Sequence, residues 1–345
     1  MDTVAKMSLK EREELFRETE ARDKRFNALI VEKDFWVCWI LKILFEFPIL
    51  SQVLIFKGGT SLSKAYNAIE RFSEDIDLSI SRKYLGFTGE NDPANPDISG
   101  KKRKKILENL LPQKATEYIC GSLRNKLEDY IGQTLIDSKS FSLEVALDDK
   151  DKQTLLFRYP ASILPIQGLD YVRQYVRIEL GIRSDQWPKE IVSITPYVAE
   201  QFPDVFTNSH YSLNCLSVNR TFWEKVTLLH SLYHKKSDKK LSERSSRHYY
   251  DIYMLLKQKE RLNIDIDDID LLDVVRKHKM LFYKSSWANY ESAVRGSLKL
   301  VPPEFRHSEI AEDYRLTTRD LIYGNIPKLD DIIEELKDFE NKFNH

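Results

Sequence analysis

Val53-Leu54-Ile55-Phe56 is an apolar, β-prone run that stops at two consecutive glycines, Gly58 and Gly59, and helical pattern resumes at once with Thr60-Ser61-Leu62-Ser63-Lys64. Few local structures satisfy such a junction. Gly-Gly ends the strand and lets backbone N–H groups approach a ligand closely, while Thr60 and Ser61 suit the N-cap of a helix predicted to run to about Glu70. The amides and dipole at its start favour the β- and γ-phosphates of a nucleotide. Lys64, one turn further on, can add a positive charge.

The next strand signal is Asp75-Ile76-Asp77-Leu78-Ser79-Ile80. Alternation puts both carboxylates on one face and Ile76, Leu78 and Ile80 on the other. Two carboxylates on one face repel unless a cation sits between them, and hard oxygen donors suit Mg²⁺, which keeps several waters and bridges to substrate phosphates. Each motif alone is a weak signal. In series, as strand, Gly-Gly-Thr-Ser, helix and Asp-x-Asp strand, they specify a nucleotide site.

The segment FKGGTSLSKAYNAIERFSEDIDLSI, from Phe56 to Ile80, resembles the signature of the DNA polymerase β-like nucleotidyltransferases, and in its wording the AbiEii/AbiGii toxin branch. Fifteen residues separate Gly59 from Asp75, slightly more than the superfamily's usual spacing, and this branch tolerates it. The resemblance runs from about Phe26 to Asn344 and includes Tyr197-Val198-Ala199-Glu200 and the Leu300-Val301-Pro302 region. It implies an α+β, polymerase β-like nucleotidyltransferase fold, a mixed sheet flanked by helices, with a C-terminal helical bundle.

Composition sets outer bounds. A chain of 345 residues with 42% hydrophobic content can bury a substantial core and has room for two or three domains. A net charge of −1 excludes a globally basic nucleic-acid coat. Lys101-Lys102-Arg103-Lys104-Lys105 is either a local basic patch or a solvated helix start. No apolar run approaches a membrane span, and the charged N-terminus is unlike a signal peptide, so the expectation is a cytoplasmic protein with no membrane contact. Cys38, Cys120 and Cys215 lack metal-ligand spacing and read as buried, reduced thiols.

Helical spacing is predicted for Leu9 to Leu29 and, with a much greasier surface, for Val31 to Phe47, which should pack on the sheet. Glu32-Lys33-Asp34, an element that recurs near the N-terminus of the toxin family, is either a charged first turn or a support for the site. Gly86 to Gly100, rich in Asn, Asp, Pro and Gly, reads as a loop. Ile106 to Ile131 is helical in pattern; Phe141 to Leu147, Leu155 to Tyr159, Tyr171 to Ile182 and Ile191 to Ile194 read as strands. From Asn219 onward the predicted elements are helices: Thr221 to Tyr233, Ser245 to Gln258, Ile269 to His278, Tyr283 to Val294 and Leu329 to Asn344. The expected division is a nucleotidyltransferase domain over 1–212 with N-terminal helices, and a helical domain over 213–345 that contributes to the active site.

A two-metal transferase usually needs a third carboxylate on a neighbouring strand. Glu179 is the choice, set among aliphatics in Val176-Arg177-Ile178-Glu179-Leu180 where an unpaired charge is costly; Glu144 is the rival. In the toxin family a basic-aliphatic-Glu-aliphatic strand followed by Arg-Ser supplies this role. The resemblance further implies that Lys225, in RTFWEKVTLLH, is a phosphate ligand, and that Asp251, in SRHYYDIY, completes the active centre by orienting the acceptor or binding the nucleotide. Arg247 and Asp251 share a helix face, so an intrahelical salt bridge is the plainer alternative. His230 and His248 have no partner at ligand spacing and read as structural or solvent-facing.

The resemblance thus implies a Mg²⁺-dependent nucleotidyltransferase toxin. Gly58, Gly59, Thr60 and Ser61 would hold an NTP with Lys64 and Lys225 balancing its charge, and Asp75, Asp77 and Glu179 would be metal ligands. It also implies an antitoxin encoded in the same operon, a role in abortive phage infection, and tRNA as acceptor. A protein hydroxyl as acceptor, and a non-catalytic nucleotide-binding module, are the alternatives.

Overall fold

The computed structural model describes residues 1–135, 140–165 and 172–345. It divides into two units, one formed by Met1–Ala65 and Ser73–Cys215, the other by Tyr66–Phe72 and Leu216–His345.

The first unit is built on a mixed sheet. Among the described residues its strands are β1 (Leu54–Lys57), β2 (Ile76–Ile80), β3 (Ser142–Val145), β4 (Thr154–Arg158), β5 (Val176–Gly181), β6 (Lys189–Ile194) and β7 (Tyr211–Leu216), in the spatial order β3-β4-β5-β2-β1-β7-β6. β2 runs antiparallel to β1 and parallel to β5; β4 is antiparallel to both β3 and β5. This is the α+β mixed sheet flanked by helices that the sequence predicts. The start of the predicted strand at Tyr171 lies outside the described residues. β7, parallel to β1, is absent from the sequence expectation, because its Tyr-Ser-Leu-Asn-Cys-Leu alternation carries no β-branched residue.

Helix Ala28–Glu46 is the core of this unit, with 17 of its 19 residues buried, as expected of a helix that is apolar nearly all round. Trp36 and Trp39 pack their rings 6.0 and 5.8 Å from Phe157 of β4, fixing the helix on the sheet. The helix predicted before it ends early: Leu9–Arg22 opens on a Ser8/Glu11 capping box and stops at Asp23. The Asp23 carboxylate there accepts from the backbone N–H and guanidinium of Arg25, and Asn27 then caps the next helix through the Ile30 N–H at 2.9 Å. The Gly86 to Gly100 segment is a loop with one short 3₁₀ turn, Gly89–Asn91.

The second unit is helical. Val218–Tyr233, Ser246–Lys257, Ile269–Phe282, His307–Asp320 and Leu329–Asn344 are its longer helices. Leu329–Asn344 buries Ile332, Leu336, Phe339 and Phe343 on one stripe, and Phe339 and Phe343 meet Phe222 and Trp223 at 5.7 and 5.5 Å. The predicted helix over Tyr283 to Val294 is instead a set of turns with a 3₁₀ piece, Tyr290–Ser292, because Asn289 takes a left-handed conformation (φ +46°) that no helix continues through.

The helix predicted to run to Glu70 ends at Lys64. Asn67 is left-handed (φ +47°), and the residues around it bond within the second unit: Tyr66 Oη donates to the Leu216 carbonyl and Gln258 Nε2 to that of Ala68, both at 2.9 Å.

Candidate active site

In the first unit the sheet register assembles one row of polar positions. Lys57 of β1 lies opposite Asp77 of β2, Asp77 opposite Glu179 of β5, and Glu179 opposite Thr154 of β4. Residues opposite one another share a face, so Asp77 and Glu179 are direct neighbours on the side opposite the buried Ile76, Leu78 and Ile80. Glu144 is on β3, with β4 and β5 between it and β2, and its exposed carboxylate pairs with Arg158 at 3.2 Å. Of the two, Glu179 is the carboxylate that the sheet places beside Asp77.

Gly58 is the other half of the arrangement. It has φ +82°, and a Cβ added there would sit 2.0 Å from Oδ2 of Asp77. Only glycine satisfies both the left-handed backbone and the close approach of the carboxylate. Thr60 and Ser61 lie inside helix Gly58–Lys64, not at its cap: Thr60 Oγ1 donates to the Asp75 carbonyl and Ser61 Oγ to the Gly58 carbonyl. Thr60 thus ties the glycine turn to the Asp75–Asp77 segment.

Charge is concentrated here. Burial first, and then the neighbouring Glu74 carboxylate, push the Asp75 carboxyl up to about 7; Glu179 and Asp77 act in the same direction, and the Lys33 ammonium opposes them. Glu179 takes a 2.9 Å hydrogen bond from Arg177 Nε, while Arg177 also holds Asp148 at 3.0 Å.

Among the described residues, no three His, Cys, Asp or Glu side chains are gathered into a ready metal cage. The donor set nevertheless fits Mg²⁺. That ion is commonly held by one or two carboxylates, its waters and the substrate phosphates, and carboxylate crowding of the kind that raises Asp75 is what a divalent cation relieves.

One consequence concerns pH. The folded-state pKa of Asp75 lies above its ordinary value of 3.8, so folding favours the protonated form. Stability from this group is greatest below about pH 4 and falls as pH rises toward about 7. In metal-free buffer, Asp75→Asn is expected to remove this slope: urea unfolding at about pH 4.5 and about pH 8 should show the wild type losing about 2–4 kcal/mol more than the variant. Equal losses in both proteins would refute the crowding.

The Glu32-Lys33-Asp34 element is buried in full. Glu32 accepts from the N–H and Oγ of Ser162. Lys33 donates to the Arg173 and Tyr175 carbonyls and pairs with Glu74 at 3.3 Å. Asp34 accepts from the Tyr197 N–H at 2.7 Å and pairs with Lys64 at 2.8 Å.

That last pairing corrects the expectation for Lys64. Its side chain is almost wholly buried, with the ammonium against Asp34 and 3.5 Å from the Tyr197 ring centroid. A helical position one turn past the glycines gives direction along the helix but not depth, and here the lysine points into the core. Its charge is matched structurally and is withdrawn from the phosphate-binding set.

In the second unit the structure brings Lys225 and Asp251 together and adds a residue that sequence reasoning missed. Lys225 Nζ reaches Asp251 Oδ2 at 2.7 Å, and Arg71 clasps the same carboxylate with Nε at 2.7 Å and an Nη at 2.8 Å. Burial alone would raise the Asp251 pKa, but the two cations and their hydrogen bonds outweigh it and hold the carboxyl far below its usual range. For Lys225, burial dominates and lowers its pKa despite Asp251. His230 is structural, as expected: its Nδ1 accepts from the Lys299 N–H, its Nε2 faces the Asn289 carbonyl, and burial lowers its pKa to about 4.

The expected Lys101–Lys105 patch is partly committed. Lys102 pairs with Glu90, and Arg103 donates to the Pro93 and Asn95 carbonyls, so two of its cations brace the preceding loop. No helix among the described residues is long and apolar enough to cross a membrane.

No curated protein matches the chain significantly. Among solved structures, MenT4, a nucleotidyltransferase toxin from Mycobacterium tuberculosis H37Rv, is similar at 15% identity and a TM-score of 0.45, over 96% of this chain and 97% of that one. The model of the AbiEii nucleotidyl transferase toxins, type IV toxin–antitoxin system, matches residues 39–344. The chain therefore belongs to the AbiEii family of nucleotidyltransferase toxins.

Proposed function

We propose that this toxin is a Mg²⁺-dependent enzyme that transfers a nucleotide from an NTP to an acceptor hydroxyl, with tRNA as the acceptor. The observation that supports this reading is the Asp77–Glu179 pair in register, with Gly58 against the Asp77 carboxylate. Asp75, Asp77 and Glu179 hold the divalent ion, which when bound neutralises phosphate charge and polarises the phosphoryl oxygens. The backbone amides at Gly58, Gly59 and Thr60, with Ser61, receive the triphosphate.

Thr60 keeps that turn registered on Asp75, and Arg177 holds the Glu179 carboxylate by a hydrogen bond from Nε. The acceptor hydroxyl gives up its proton to solvent as its oxygen bonds to the α-phosphorus, the bond from the α-phosphorus to the bridging oxygen of the β-phosphate breaks in line, and pyrophosphate leaves. Catalysis of this kind is mainly positioning and electrostatics. The family resemblance assigns Lys225 to the nucleotide phosphates and Asp251 to the active centre. Since Asp251 anchors both Lys225 and Arg71, we read it as the residue that positions them. A cognate antitoxin, a cytoplasmic setting and a role in abortive phage infection complete the reading.

The test is incubation of the purified protein and Mg²⁺ with each α-³²P-labelled NTP in an extract of a susceptible host, followed by RNase or protease digestion. RNase-sensitive label at tRNA size is expected. Protease-sensitive label would move the acceptor to protein, and absence of label with every nucleotide would leave a binding module.

A further inference from the structure

The second unit carries a cleft of about 600 Å³ lined by Lys236, Lys284, Ser285, Ser286, Trp287 and Tyr290, among others. Trp287 keeps 36% of its surface exposed, so part of its ring is open to a ligand. The Lys235 ammonium lies 5.8 Å from its ring centroid. Lys239 and Lys240 extend the same segment and are exposed, as are Lys236 and Lys284. None of these four exposed lysines is paired with a carboxylate among the described residues. The acidic groups nearby are Asp238, within the segment, Glu291, in the cleft, and Glu309, which pairs with Arg306 and accepts from the Leu241 N–H.

Both walls are held in place from beneath. Buried Arg306 donates through one Nη to the carbonyls of Lys235, Lys236 and Lys239, at 3.3, 2.6 and 2.7 Å, so the lysine segment is pinned by its backbone; the Lys235 ammonium turns back onto the Lys240 carbonyl, and Lys236, Lys239 and Lys240 are the exposed ones. On the other wall, His230 holds the Asn289 carbonyl at 3.1 Å and His234 faces the Asn289 amide at 3.3 Å, fixing the turn that presents Trp287. A solvated lysine run on a mobile loop needs no such anchoring.

We infer that this cleft binds single-stranded RNA, a base stacking on Trp287 and the adjoining phosphates lying on Lys236 and Lys284, with Lys239 and Lys240 continuing the track. A base offers every aromatic ring a π-face, and a line of unpaired cations follows the backbone; the two together are the chemistry of single-strand binding. Charge alone would suit any polyanion, and the exposed indole is what selects a nucleotide. The inference rests on the proposed RNA acceptor and assigns its docking surface.

The experiment is fluorescence-anisotropy titration of the full chain with a labelled RNA of about ten nucleotides at several salt concentrations. It uses wild type, Trp287→Ala, Trp287→Phe and the double variant Lys236→Ala/Lys284→Ala. Trp287→Ala should weaken binding about tenfold or more, and Trp287→Phe should retain most of it. The lysine pair should flatten the dependence of log affinity on log salt by roughly 0.7 for each phosphate no longer neutralised. Unchanged binding in all variants, no binding by wild type, or dependence on the lysines without dependence on Trp287 would each overturn the assignment. Whether label reaches RNA in the transfer assay is read separately, so a protein acceptor is distinguished from a misplaced RNA surface.

Discussion

Asp77→Ala is expected to lower nucleotide transfer by at least about 10³-fold while leaving the circular dichroism and the urea midpoint close to those of the wild type. Asp77 occupies the centre of the polar row, between Lys57 and Glu179, with the Gly58 backbone against its carboxylate. On the proposed mechanism, removing it takes away the cation ligand nearest the glycine turn, and several kcal/mol of transition-state stabilisation should go with it. The residue is only partly buried, so its loss leaves no cavity in the core. Asp77→Asn keeps the shape and removes the charge, and should be nearly as inactive. Transfer within tenfold of wild type in either variant would place the chemistry elsewhere.

The largest stability effect is expected at Asp251. This carboxylate is fully buried and is the shared partner of Arg71 and Lys225. Asp251→Ala leaves two cations facing one another without a counter-charge. Breaking a buried pair by removing one partner costs about 3–5 kcal/mol, and here two partners are stranded. Urea unfolding should show a loss of at least that size. Replacing Arg71, Lys225 and Asp251 together by apolar residues of similar volume should recover much of the stability but not the activity. A loss below about 1 kcal/mol for Asp251→Ala would show that water reaches the triad and screens it.

The parts of the site that can be read from sequence are those in which chemistry and geometry lie close along the chain. Gly58 to Asp77 carries its own strand, turn and alternation, so the carboxylate face and the glycine approach can be inferred from neighbours alone. Glu179 is legible because a charge between Ile178 and Leu180 on a strand needs a reason. The paired register of Asp77 with Glu179 and Thr154 is a property of the sheet, and no spacing reveals it.

The misreadings share a cause. Lys64 takes its partner from Asp34, thirty residues upstream on another helix, and Arg71 meets Asp251 across 180 positions. Helical periodicity gives the direction of a side chain about its axis and says nothing about what stands there. The stretch Tyr283 to Val294 is rich in Ser, Asn and aromatic residues of middling helix propensity, and the left-handed Asn289 breaks it. Lys235, Lys236, Lys239 and Lys240 carry no sequence expectation at all; the Arg306 that pins their backbone lies about seventy residues further along the chain.

The central claim is that the carboxylate row and the glycine turn act on the α-phosphorus of a nucleotide. The most direct test is to supply the purified toxin, Mg²⁺ and total RNA with NTP labelled at the α- or at the γ-phosphate, with Asp77→Ala alongside. Label from the α-phosphate should enter RNA, label from the γ-phosphate should appear only in pyrophosphate, and the variant should transfer neither. Incorporation of the γ-label into an acceptor would contradict nucleotidyl transfer and make the site a phosphotransferase.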